Sequence, residues 1–128
     1  MATVHMTAKK QMSLQDIQRK FRDIKGIEPV SQSSQTIHDV TIRTLVYEKH
    51  YFRTHGYTTA TVALTEFGED QTACVITSGG GEGIQNYSYG ANRSLAKECV
   101  RVLESCGFTI AESDLETKGK SFAERFLE

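Results

Sequence analysis

Ionisable and aromatic side chains concentrate in one run, Tyr47-Glu48-Lys49-His50-Tyr51-Phe52-Arg53-Thr54-His55. In an extended strand Glu48, His50 and Phe52 project to one side, and Tyr47, Lys49, Tyr51 and Arg53 to the other. A carboxylate and an imidazole on one side suit general acid–base chemistry, or two positions of a metal site. A metal needs further ligands, and only His55 lies near, across a turn, so no metal site is expected. The plainer reading of the same run is a strand end entering solvent, its charges paired across a sheet.

The second unusual feature is Ser78-Gly79-Gly80-Gly81-Glu82-Gly83. Glycines allow positive φ and close backbone approach, so such a loop can aim several N–H groups at an anion. A phosphate loop, however, needs Gly-Lys-Ser/Thr running straight into a helix. Here no lysine follows, and Glu82 sets a negative charge where phosphate would sit. The dinucleotide fingerprint fails as well, because Asn86 stands at its third glycine. A kinked hairpin connection, with or without a β-bulge, is the favoured reading of the cluster. The candidate ligand-binding residues are therefore Gly79, Gly80, Gly81, Glu82, Gly83, Glu48, His50 and Arg53, with no catalytic residue, metal or cofactor assigned. Nucleophilic catalysis has little footing. Ser78 lacks the Gly-x-Ser-x-Gly frame, Cys74 is expected to point inward from a strand, and His5 and His38 are isolated.

These residues must be held by a small scaffold. The chain has 128 residues, 38% of them apolar and 24% charged, which supports one domain and excludes a disordered polyelectrolyte. Lysine and arginine number 15 against 16 acidic residues, so strong nonspecific nucleic-acid binding is not expected. The charge is uneven: residues 1–56 carry nine basic and five acidic side chains, a balance of +4, leaving −5 for the remainder. No apolar run reaches membrane-spanning length, and the first residues do not form a signal segment. Three cysteines, Cys74, Cys99 and Cys106, without a Cys-x-x-Cys pair, read as reduced thiols, so a cytoplasmic protein is expected.

Residues 2–7 are β-prone and predict a first strand. Ser13 is a good N-cap for a helix whose Leu14, Ile17, Phe21 and Ile24 share one face, with Gly26 closing it and Pro29 discouraging a restart. The helix's other face carries Arg19, Lys20, Arg22 and Lys25, which could meet phosphate but read more simply as a solvated surface. Residues 31–36 form a polar stretch to which no element is assigned. From His38 to Phe67 the period becomes two. Val40, Ile42, Thr44 and Val46 share one side of a strand, and Ala60, Val62 and Leu64 do so in the next. Thr72–Ser78 predicts a third strand, with Cys74 and Ile76 together, and residues 84–89 alternate as a fourth. A second helix starts near Gly90-Ala91 and stops at Gly107, its apolar arc formed by Ala91, Leu95, Cys99, Val102, Leu103 and Cys106.

The expected fold is therefore α+β and two-layered, an antiparallel sheet with two helices on one face in the order β-α-β-β-β-β-α. That order resembles the TATA-binding-protein and helix-grip architectures. Residues 1–110 form the domain, and residues 111–128 a tail whose Phe122 and Phe126 suggest a short docking helix. The outer sheet face is expected to show Thr41, Arg43, Leu45 and Tyr47 beside Thr59, Thr61 and Thr65, extended by Tyr87 and Tyr89.

Taken together, the Tyr47–Arg53 run, the Ser78–Gly83 loop and Gly90-Ala91 resemble a family of small uncharacterised bacterial proteins, a domain of unknown function. The resemblance covers roughly residues 2–110 and implies a cytoplasmic bacterial protein, without supplying an activity or a ligand. Function is thus unknown from sequence. The favoured expectation is a non-enzymatic binding or interaction module that forms a homodimer through the sheet face or the tail. The alternative is a protein, enzymatic or not, that binds a small ligand or anion with Gly79–Gly83 and the nearby Glu and His.

Overall fold

The computed structural model describes residues 1–51, 56–79 and 85–115. In chain order it contains β1 (Ala2–Lys9), α1 (Leu14–Lys20) with one 3-10 turn (Phe21–Asp23), β2 (Ile27–Ile37), β3 (Val40–Tyr51), β4 (Gly56–Phe67), β5 (Asp70–Gly79), α2 (Gln85–Ser105) and β6 (Thr109–Ser113). The strands form one six-stranded sheet in the order β2-β3-β4-β5-β1-β6, and every neighbouring pair is antiparallel. The fold is therefore α+β, an open antiparallel sheet with two helices.

Both helices bury an apolar stripe against the same side of the sheet. Ser13 caps α1, its hydroxyl accepting the Asp16 N–H at 3.1 Å. Leu14, Ile17, Phe21 and Ile24 are all buried, as their spacing predicts. The α-helix itself is shorter than expected. A 3-10 turn replaces its last stretch, and Gly26, at φ +81°, turns the chain into β2 rather than capping a helix. In α2 the predicted arc Ala91, Leu95, Cys99, Val102, Leu103 and Cys106 is buried, while Lys97, Arg101 and Glu104 face solvent. The helix ends as Gly107 foretold. Gly107 N–H donates to Glu104 O at 3.0 Å and Phe108 N–H to Leu103 O at 3.1 Å, the paired bonds of a Schellman motif, with Phe108 folded back into the core.

The expected order β-α-β-β-β-β-α is corrected at three points, and with it the basis for the likeness to the TATA-binding-protein and helix-grip architectures. The polar stretch 31–36 lies within β2, a strand that no apolar alternation announces because its residues are exposed; backbone pairing with β3 makes it. Residues 85–89, read as strand, belong to the first turns of α2. Extending an existing helix adds one hydrogen bond per residue fixed, and the two alternating tyrosines are too short a pattern to outweigh that. Finally, Thr109–Ser113 returns to pair with β1, and Leu115 beyond it is buried in the core. Residues 116–128, including the proposed docking helix with Phe122 and Phe126, lie outside the described residues.

No helix among the described residues is long and apolar enough to cross a membrane.

Candidate interaction face

With the helices on one side, no described residue outside the strands covers the sheet's other side, and register decides what it displays. Leu45 pairs with Val62 and Tyr47 with Ala60, all buried under the helices. The alternate positions make the open rows. Val46, Thr61 and Ile76 stand side by side across β3, β4 and β5, with Thr3 of β1 continuing the row. Thr44, Ala63, Cys74 and His5 make the next.

This reverses the expected facing of β3 and β5. Leu45 and Tyr47, expected outside, are 1% and 6% exposed, whereas Val40, Ile42 and Val46 share the open side. Likewise Ala73, Val75 and Thr77 of β5 point inward, and Cys74 and Ile76 outward. The expected Thr59, Thr61 and Thr65 do lie on the open face. The reason is size and reach. The Tyr47 ring stacks on Phe21 with centroids 5.5 Å apart, and the long Arg43 and Lys49 on the same side extend to the helices. The compact β-branched residues are left to the pleated open surface, which suits them.

Charge is confined to the margins of that face. Glu28 and Glu48 oppose each other at one end, and His5 faces Glu112 at the β6 edge. The centre is threonine, valine, isoleucine and alanine. Partial burial pushes the Cys74 thiol above its ordinary range, so it sits there as a small apolar group rather than a nucleophile.

The candidate ligand residues fall at the Glu48 end. Glu48 and His50 do share one side, with Glu48 beside Thr59 and the His50 ring edge-on to Tyr57 at 5.2 Å. Gly79 ends β5 opposite Thr58, at φ +90°, and a Cβ there would stand 3.0 Å from the Tyr57 carbonyl oxygen. One row inward, Glu48, Thr59 and Ser78 align. Arg53 and Gly80, Gly81, Glu82 and Gly83 lie outside the described residues. Among the described residues no three of His, Cys, Asp and Glu converge on a metal position. On the helix side at this end, sequence reasoning passed over a buried polar group: Thr58, Thr77 and Asn92, with the Thr77 hydroxyl donating to the Asn92 carbonyl at 2.9 Å. Threonines in an alternating strand gave no sign of which side would be sealed.

An open antiparallel sheet backed by two helices, whose other side shows an uncharged Thr/Val/Ile centre among the described residues, defines a small α+β domain. The chain belongs to the Family of unknown function (DUF6054), which matches residues 1–107, from β1 through the close of α2. No curated protein and no solved structure matches it. Its function is accordingly unknown.

Proposed function

We propose that the protein is a non-enzymatic interaction module that forms a homodimer by packing two open sheet faces against each other. The observation that carries this is the row Val46–Thr61–Ile76, apolar or hydroxyl-bearing across β3, β4 and β5, on the side that no helix among the described residues covers. One-sided antiparallel sheets facing water normally carry polar residues outward. Here β3 offers valine and isoleucine on that side as well.

A second copy is the partner that this composition suits. An uncharged centre presents no pattern for a charged surface to recognise, and two such faces related by a twofold axis place like on like without opposing charges. Area supports the same reading. Six strands at their usual spacing, averaging about ten residues, give a face of roughly 900 Å², comparable to the ~800 Å² per partner of a stable interface. The three thiols, none of them bridged, favour a reducing compartment, in keeping with a bacterial cytoplasmic protein.

Sedimentation equilibrium on the full chain tests the proposal. The expected result is a dimer that dissociates on dilution, and a monomer of unchanged circular dichroism for Val46→Glu. A monomer at high micromolar concentration overturns it, as does a dimer indifferent to charge at positions 46 and 76.

A further inference from the structure

The opposite, helix-bearing side holds a feature of different chemistry. Between α1 and the β2–β3 edge lies a cleft of about 470 Å³ whose walls carry three guanidinium groups, Arg19, Arg22 and Arg43. No carboxylate lines it among the described residues. A protein with net charge −1 has thus gathered three cations around one concavity, within a segment whose balance is +4. Exposed like charges are screened by water and salt, so the grouping costs little when empty, and an anion entering the concavity meets several cations at once.

The cations are not equivalent. Arg19 is committed at the rim, its Nη1 3.0 Å from Asp16 Oδ1. Arg22 is exposed and forms no ion pair among the described residues. Arg43 is held in place: its Nη1 donates to Gln18 Oε1 at 2.7 Å, and the Gln18 amide nitrogen donates in turn to Gln32 Oε1. That relay ties β3, α1 and β2 together and fixes the guanidinium plane. Yet Arg43 Nε is buried and meets no acceptor among the described residues. The sealed Nε is not itself the ligand contact, but Arg43 lines the cleft, and a guanidinium already held in one orientation offers an entering oxyanion a fixed cation for charge-assisted hydrogen bonding.

The remaining walls say what accompanies the charge. Ile27, Pro29 and the Tyr47 ring give an apolar floor, and a second hollow of about 310 Å³ continues it past Gln32 and Leu45. A bare ion would leave that floor uncovered. Glutamine amides on the walls add donors and acceptors without adding charge, which suits a polar organic body.

We propose that this cleft binds a small organic oxyanion, its phosphate or carboxylate group received by Arg43 and Arg22 and its body lying on Pro29 and Tyr47. The site is independent of the sheet-face proposal, since it lies on the other side of the sheet. Four of the residues involved, Gln18, Arg22, Gln32 and Arg43, belong to three elements that come together only in the fold, so the helix face that reads as plain solvated surface becomes one wall of a pocket.

The test is titration of the full chain with inorganic phosphate, with a nucleoside monophosphate and with citrate, each at ionic strength matched by sodium chloride. Calorimetry reads affinity, and the Nε–H resonance of Arg43, assigned by its loss in Arg43→Lys, reads the site. The expected result is saturable binding of at least one oxyanion that shifts this resonance, with the organic ligand binding more tightly than inorganic phosphate. Because Arg22 is exposed, Arg22→Gln is expected to fold normally and to weaken that binding about tenfold, the worth of one charge-assisted hydrogen bond. Binding of citrate alone identifies a carboxylate ligand, and binding of the two phosphates alone a phosphorylated one. No saturable binding of any of the three, or binding equal in wild type and Arg22→Gln, overturns the proposal.

Discussion

Leu45 and Val46 are neighbours in β3 that point to opposite sides of the sheet, Leu45 being 1% exposed beneath the helices and Val46 standing on the uncovered face. Both are apolar, so this strand has two sides that gain from leaving water, and the described residues bury only one. Truncation separates the two roles. Leu45→Ala is expected to destabilise the chain by about 2–5 kcal/mol through the cavity it leaves. Val46→Ala is expected to cost less than about 1 kcal/mol when the protein is dilute enough to be monomeric. Urea unfolding at low concentration measures both. Equal losses would mean that the two faces are not as unequal as the register places them.

The same two residues explain what could and could not be read from sequence. Period-two alternation located β3 and β4 and, on the helices, the 3.6-residue stripes named all four buried residues of the first and six of the second, missing Asn92, Ala96 and Val100 at the edges of its arc. In β3 apolar residues occur at both parities, so alternation cannot say which side turns inward. Tyr47 decides it by stacking on Phe21, a contact between residues far apart in the chain. β2 failed for the opposite reason: it buries neither face and is a strand through backbone pairing alone. Of the candidate ligand residues, Glu48 and His50 were correctly put on one side. The arginine cleft needed the fold, since Arg43 and Arg22 are joined through β2 and α1 and share no local motif.

Lys49 and Glu98 pin β3 to α2. Lys49 Nζ lies 2.9 Å from both carboxylate oxygens, with side chains only 16% and 29% exposed, and it also stands 5.3 Å from the centre of the Tyr51 ring. Removing one member strands the other charge in a half-dry place. Glu98→Gln or Lys49→Met alone is expected to cost about 1–3 kcal/mol. The double change, Lys49→Met with Glu98→Leu, is expected to cost less than the sum, because no lone charge remains. Additive losses in a double-mutant cycle by chemical denaturation would show the pair to be uncoupled.

Gly79 and Gly68 both have positive φ, +90° and +59°, but their surroundings differ. A Cβ at position 79 would stand 3.0 Å from the Tyr57 carbonyl oxygen, whereas one at position 68 meets nothing within 4 Å. Gly68→Ala is expected to cost about 1 kcal/mol, the backbone penalty alone. Gly79→Ala adds a clash with main chain that cannot swing aside and is expected to cost roughly 2–3 kcal/mol. Comparing the midpoints of the two variants tests whether this first glycine is structurally required where it stands, before any ligand is invoked.

The buried weak acids set an alkaline limit. Burial, chiefly, pushes the Cys99 thiol from 9.0 to about 12, with Glu98 adding to the shift and Lys49 opposing it. Burial likewise lifts the Tyr47 phenol from 10.0 to about 12, the Arg22 guanidinium pulling the other way, and Tyr51 is raised in the same sense. In each case the native state holds its proton more tightly than the unfolded chain. The resulting stability is fully present below the unfolded values and is lost as pH rises towards the folded ones, from 9.0 for Cys99 and 10.0 for Tyr47 up to about 12 for both. Urea midpoints are therefore expected to hold level, as far as these groups are concerned, up to pH 9.0 and to fall steeply beyond it. Cys99→Ala is expected to lower stability near neutrality through lost packing, yet to flatten the onset of the decline. Tyr47→Phe flattens the part above pH 10.0, and the double variant flattens both. An undiminished slope in the double variant would assign the alkaline loss to other groups and would mean that Cys99 and Tyr47 are less sealed than their burial implies.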